Sequence, residues 1–245
     1  MAKTSGTVYV VAMPIGNVKD ISERALMILE SVQLILSEDT RTTRKFFAMF
    51  PHRKFFGQLL RLDEHVQGIR LGNIVDQIAQ GADAAIVSEA GTPGISDPGV
   101  ALMAECRERG ITIVPIPGPS ALATILSVAD FHTQPVAFYG FLPKKKGRET
   151  TLHGMREMQG TKYGPASAVL YESPERIQRT LADLAAALGP DTHLVVGREL
   201  TKQHEELWYG TLAEALAYFA KPRGEFTLLV QLSAERTPRL APIIG

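Results

Sequence analysis

Apolar residues along this chain fall into two alternating spacings. Short continuous apolar runs at Thr7–Met13, Val32–Leu36, Ala82–Val87 and Ile111–Pro115 predict buried strands. Between them, Ser22–Ser31, Ile69–Gln80 and Val100–Arg109 carry apolar residues three and four apart, the spacing of amphipathic helices. Ala25, Leu26, Ile28 and Leu29 give the first helix its apolar face, with Asp20 and Glu23 read as its capping box. Strands alternating with helices argue for a mainly parallel sheet covered on both faces. From about Gln134 a second series follows, with strands at Val136–Phe141, Ala166–Tyr171, His193–Gly197 and Glu225–Leu232. Helices are expected at Glu149–Gln159 and Ile177–Leu188, and another to about Ala220 behind a Thr211/Glu214 capping box. The expected fold class is α/β: two α/β domains with mainly parallel or mixed sheets, over residues 1–122 and 123–235. The segment around Ser120–Phe131 joins them, and residues 236–245 form a loose tail. A cleft between the domains is the expected cofactor site.

The stretch from Ser88 to Gly99, SEAGTPGISDPG, interrupts this pattern between a strand and a helix. Connections in α/β units usually need two to six residues, so this one is longer than a turn requires. Its glycines let backbone approach a ligand, and Pro93 and Pro98 fix its shape. Ser88, Glu89, Thr92, Ser96 and Asp97 place hydroxyls and carboxylates on that frame. A loop at the carboxyl end of a buried strand is where open α/β sheets bind ligands.

Composition narrows the function classes. The 245 residues are 45% apolar and 21% charged, with 26 basic and 26 acidic side chains, so any nucleic-acid binding must come from local patches. Cys106 is the single cysteine and excludes an intrachain disulfide; it reads as a small buried hydrophobe and suits a reducing, cytoplasmic setting. Met1–Gly6 lacks the apolar run of a signal peptide, and no stretch approaches a membrane span in length. Neither a Gly-x4-Gly-Lys-Ser/Thr loop nor a Gly-x-Gly-x-x-Gly after the first strand occurs, which disfavours nucleotide sites of those kinds. There is no Gly-x-Ser-x-Gly elbow and no His-Glu-x-x-His, so hydrolase-triad and zinc chemistry have no support and no metal is expected.

Seven short segments occur in a fixed order. They are Pro14-Ile15-Gly16-Asn17, Glu38-Asp39-Thr40-Arg41, the Ser88–Gly99 loop, Pro115-Ile116-Pro117-Gly118-Pro119-Ser120, Gly140-Phe141-Leu142-Pro143, Tyr171-Glu172-Ser173-Pro174 and Arg198-Glu199-Leu200-Thr201-Lys202. Together they resemble the tetrapyrrole methylase family, in the branch that methylates a cytidine ribose of small-subunit ribosomal RNA. The likeness runs from about Val8 to Leu232. The chain departs from the family pattern at Met13, Thr42, Glu89 and the Asp63-Glu64-His65-Val66 segment. Small-molecule methylases of the same fold typically open with Gly-x-Gly-Pro-Gly-Asp, where this chain has Ala12-Met13-Pro14-Ile15-Gly16-Asn17. A tetrapyrrole methylase and a non-catalytic ribosome-binding module are the alternatives.

The resemblance implies S-adenosylmethionine between two domains, a homodimer, and 16S ribosomal RNA in the small ribosomal subunit as substrate, with the reaction at a 2′-hydroxyl. Pro14, Ser88, Gly91, Thr92, Pro93, Ile95, Ser96 and Asp97 are then cofactor-binding candidates, with Asp97 also a possible N-cap. Ser120 and Ala121 could offer N–H groups to the methionine carboxylate. Tyr171, Leu200, Glu225 and Phe226 could wall the adenine, although Tyr171 reads equally as core with a satisfied hydroxyl. Glu199 and Lys202 are the candidate proton acceptors; lysine serves only if its pKa is lowered, and a surface ion pair is the competing reading. Two basic clusters are candidates for RNA phosphates: Arg41, Arg44 and Lys45, and the expected loop carrying Lys144, Lys145, Lys146 and Arg148.

Overall fold

The structure, a computed structural model, describes residues 5–63, 68–95 and 99–233. It divides into two compact units, Met1–Ser120 and Ala121–Gly245.

In the first unit, β1 (Thr7–Val11), β2 (Leu34–Ser37), β3 (Gln58–Arg61), β4 (Ala84–Val87) and β5 (Thr112–Ile116) form one parallel sheet in the order β3-β2-β4-β1-β5. Every residue of β2 and β4 is buried, as expected of strands with helices on both faces. Helix α1 (Glu23–Ser31) packs Ala25, Leu26 and Leu29 against Val11, Ile35, Ala85 and Val87. Between β2 and β3 lies α2 (Thr40–Ala48), and α3 (Ile69–Ala79) and α4 (Val100–Glu108) cover the other face through Val8, Leu34, Leu36, Ala84 and Ile86. Cys106 is fully buried there, and burial pushes its thiol up to about 11, so it behaves as a small apolar side chain.

The expected Asp20/Glu23 capping box is corrected. Ser22 caps α1, its hydroxyl accepting from the Ala25 N–H at 3.1 Å, while Val18–Asp20 form a separate 3-10 turn. Helix α2 and strand β3 escaped the sequence pattern because α2 buries only Thr43 fully and β3 is a four-residue edge strand. What anchors α2 is a cluster of Phe46, Phe47, Phe50 and Phe55, with the Phe47 and Phe55 rings stacked at 4.1 Å.

The second unit opens with α5 (Ala121–Ser127), in the segment expected to be a joiner. It continues with β6 (Val136–Phe141), α6 (Arg148–Met158), β7 (Ser167–Glu172), α7 (Ile177–Leu188), β8 (His193–Arg198), β9 (Glu206–Thr211), α8 (Leu212–Tyr218) and β10 (Phe226–Gln231). The sheet runs β6-β7-β10-β8-β9 and is mixed: β6 and β7 are parallel, the other three pairings antiparallel. Alternation along β10 sends Leu228 and Val230 to the face covered by α6, α7 and α8, and Leu229 to the face that holds Ile125 of α5. The Thr211/Glu214 capping box is present as expected, but Thr211 also ends β9, an edge strand that the sequence pattern did not reveal. The tail over 236–245 lies outside the described residues.

Candidate active site

The first sheet has one topological switch point. Neighbouring strands β1 and β4 send their chains to opposite faces, β1 into α1 and β4 into α4. Their outgoing loops must part there, which opens a crevice at the carboxyl ends of the strands. Backbone bonds tie the loops together at its floor. The Met13 N–H donates to the Gly91 carbonyl at 2.8 Å, and the Gly91 N–H donates to the Met13 carbonyl at 3.0 Å. The buried Ser88 hydroxyl donates to the same Gly91 carbonyl at 2.7 Å. Thr92 donates from Oγ1 to the Pro119 carbonyl at 3.2 Å, which joins the loop after β5 to the set.

This arrangement sorts the expected cofactor residues. Gly91 was expected to offer backbone groups to a ligand; instead both are taken by Met13, and its φ of +76° shows why glycine stands there. Ser88 and Pro93 are buried, so they shape the loop from beneath. Pro14 and Thr92 are half-buried, while Gly94 and Ile95 are exposed. Ser96 and Asp97 lie outside the described residues. Exposed Ile95, the open Gly94 backbone and the exposed Glu89 carboxylate together suit a ligand with an apolar flat part and a cationic part. Half-buried Ser120 closes this unit, and half-buried Ala121 begins α5 of the next.

Arg41, Arg44 and Lys45 are exposed on α2. Asp39 caps that helix through the Arg41 N–H, and the Arg41 guanidinium grips its carboxylate at 2.7 Å. Those bonds hold the Asp39 carboxyl well below the usual carboxylate range, and Arg41 is raised in turn, chiefly by Asp39 and further by the field of Glu89.

In the second unit, strand directions bring the remaining candidates to one end of the sheet. The carboxyl ends of β6, β7 and β8 and the start of β10 share it, with Phe226 in register with both Glu172 and Arg198. The Tyr171 hydroxyl accepts from the Leu122 N–H at 3.2 Å, and the ring meets Phe138 and Phe141 edge-on. The Phe226 side chain is core, packed on Phe219, so only its backbone is left for a ligand. Leu200 is buried over Gly197 between two residues of positive φ, Glu199 at +52° and Thr201 at +66°.

Lys202 Nζ donates to Glu199 Oε1 and to Glu225 Oε2, both at 2.8 Å. Desolvation opposes the ammonium, yet the two carboxylates outweigh it and hold Lys202 above its ordinary value. A lysine base needs a lowered pKa, and these surroundings act in the opposite direction. Glu199 is likewise desolvated, but the Lys202 bond and the Glu225 N–H leave it below its ordinary value. The pair reads as the ion-paired alternative, a latch fixing the turn after β8 to the start of β10. Beside it, Arg198 Nε and Glu206 Oε2 stand 2.7 Å apart as an ion contact without hydrogen-bond alignment.

Lys144, Lys145 and Lys146 are exposed on the turn between β6 and α6. Arg148 is corrected: it is 3% exposed and donates to Asp183 at 2.7 Å and to Thr180 at 2.8 Å, so it cannot meet a phosphate at the surface. Sequence reasoning missed Glu172, Arg176, Thr180 and Asp183, which surround it. Glu172 ends β7 and Arg176 precedes α7, so no single periodicity marked them.

A parallel sheet with its crevice at the switch point, followed by a mixed sheet, defines an α/β enzyme fold whose chemistry depends on loops. The chain belongs to the tetrapyrrole methylase family: the profile described as Tetrapyrrole (Corrin/Porphyrin) Methylases matches residues 7–216. It is similar to the ribosomal RNA small subunit methyltransferase I of Synechocystis, 40% identical over 97% of this chain and 82% of that protein. The protein of the same name from Thermotoga maritima is 38% identical over 92% and 98% of the two chains. Among solved structures, the methyltransferase CobJ has a TM-score of 0.67 at 19% identity, over 97% of this chain and 98% of that one. A Thermus thermophilus uroporphyrin-III C-methyltransferase complexed with S-adenosylhomocysteine has 0.62 at 14%, over 91% and 97%. Among the described residues, no helix is long and apolar enough to cross a membrane, and no group of three His, Cys, Asp or Glu side chains could hold a metal.

Proposed function

We propose that this protein transfers a methyl group from S-adenosylmethionine to a cytidine ribose 2′-hydroxyl of 16S ribosomal RNA in the small ribosomal subunit, acting as a homodimer. The observation that supports the reading is the near-full-length similarity to small-subunit ribosomal RNA methyltransferases. The donor supplies a sulfonium-activated methyl group when bound. This chain's part is to hold it: the bonded Met13–Gly91 floor fixes the loop, Ile95 offers an apolar surface, and Glu89 offers negative charge to a cationic ligand. Displacement at a methyl carbon gains most from orientation, so a rigid floor is the expected investment. Exposed Lys144, Lys145 and Lys146, with Arg44 and Lys45, meet RNA phosphates.

The test is mass mapping of ribose methylation on small-subunit RNA from cells with and without the gene. A single 2′-O-methylcytidine that disappears with the gene and returns with purified protein and donor supports the reading. An unchanged map, with methyl transfer to a tetrapyrrole instead, overturns it. Sedimentation of the purified protein tests the homodimer.

A further inference from the structure

The turn bearing Lys144, Lys145 and Lys146 is held from inside by two arginines. The Leu142 carbonyl accepts from Arg176 Nη2, the Pro143 carbonyl accepts from Arg148 Nη1 at 3.3 Å, and the Lys145 carbonyl accepts from the Arg148 backbone N–H at 3.2 Å. The arginines are joined beneath the turn. Arg148 donates to Thr180 Oγ1, which donates to Glu172 Oε2 at 2.6 Å; Glu172 Oε1 lies 3.3 Å from Arg176 Nε. The Glu172 side chain is wholly buried, and Asp183 balances Arg148. Every buried charge therefore has an opposite partner, the condition under which such a network gives a fixed geometry.

Above this network the three ammonium groups are exposed, and among the described residues they make no ion pair. Three adjacent like charges repel, and a loose loop would splay them apart. Holding them together gains nothing for the isolated protein and favours a polyanion, because less ordering is left to do on binding. Phe141, on the strand entering the turn, is 54% exposed, and an exposed aromatic three residues before a lysine run is a combination that suits single-stranded RNA.

We infer that Arg148 and Arg176 are positioning residues, which act through the lysine turn to preorganise it for the phosphate backbone of the RNA substrate. The inference rests on the RNA reading above. It requires that the arginines matter for RNA binding only while the lysines are present.

The experiment measures association of the full-length protein with small ribosomal subunits isolated from cells lacking the gene, as a function of salt. The K144A/K145A/K146A variant binds about tenfold more weakly, and its log–log salt slope falls by about 2, at roughly 0.7 for each phosphate that is no longer neutralised. R176A, with all three lysines in place, binds several-fold more weakly, R176K recovers most of the loss, and KM for S-adenosylmethionine stays within twofold. Adding R176A to the triple variant costs nothing more, the non-additivity expected of residues that act as a unit. Losses that multiply in the combined variant overturn the inference, as does wild-type binding by R176A. The cycle is repeated with R176Q, so that a folding defect in one variant does not decide the result. Methyl transfer by the wild-type protein is scored separately. Its absence overturns the RNA reading, whereas transfer with binding indifferent to the lysines overturns the clamp alone.

Discussion

Glu199 lies across Gly224 so closely that a β-carbon there would stand 2.3 Å from Glu199 Cγ and 2.6 Å from Cδ. Gly224 also has a φ of +80°, which other residues adopt only with strain. Both features keep the Glu199 carboxylate within reach of the Glu225 N–H, at 2.8 Å, and of Lys202. Gly224→Ala is expected to destabilise the protein by about 2 kcal/mol, the usual scale of overpacking. Urea titration checks this; an unchanged midpoint means that Glu199 swings away at no cost.

The same latch gives a pH signature. Desolvation works against the charged form of Lys202, but its bonds to Glu199 and Glu225 prevail and raise it. Stability from a raised lysine is fully present below its ordinary value of 10.5 and is lost as pH climbs through the folded value. Glu199 is lowered on balance, so its contribution is present above its ordinary 4.5 and is lost as pH falls through the folded value. The stability difference between wild type and Lys202→Met should form a plateau between those limits and shrink outside them. Denaturation midpoints of both proteins from pH 3 to pH 11 check it, and a difference flat across the whole range removes the ion pair as its source.

In the first unit, the Ser88 hydroxyl and the Met13 N–H converge on one Gly91 carbonyl. Ser88→Ala removes one of two donors and leaves the acceptor satisfied, so a loss of about 1 kcal/mol is expected. Gly91→Ala forces a side chain to φ +76° against Ile15 and deforms the crevice floor. Its effect should fall on the donor, with calorimetric affinity for S-adenosylmethionine reduced about tenfold or more, equivalent to about 1.4 kcal/mol. Equal donor affinity in both variants and wild type would show that the floor does not shape the donor site.

Much of this was legible from residue order, because buried parallel strands and amphipathic helices write strong periodic signals. The four buried residues of β4, the Ser88–Gly99 loop that follows and the Thr211 capping box are examples. Elements held by other means were not legible. Strand β9 lies at an edge with Leu207 and Tyr209 facing outward, so its pattern is weak, and α2 is anchored by an aromatic cluster instead of a regular stripe. At the site, residue type identified polar groups but not their partners. Gly91 and Lys202 changed role once their hydrogen bonds were seen, because a ligand-facing group and a structural one look alike in sequence.

Arg148 and Arg41 make the point quantitative, since both were read as RNA contacts and their surroundings differ. The Arg41 side chain is 83% exposed, so its ion pair with Asp39 is screened by water. Exposed pairs of this kind contribute little to stability, and Arg41→Ala should leave the denaturation midpoint unmoved. The Arg148 side chain is 4% exposed, and removing it leaves Asp183 only Arg179 at 3.6 Å and takes a donor from Thr180 and from the Pro143 carbonyl. Breaking one side of a buried pair typically costs about 3–5 kcal/mol, and Asp183 is partly open to water, so Arg148→Met is expected near 3 kcal/mol. Thermal and urea unfolding of both variants separate the two cases. If Arg148→Met were as stable as wild type, the network beneath the lysine turn would be slack, and the turn above it free to move.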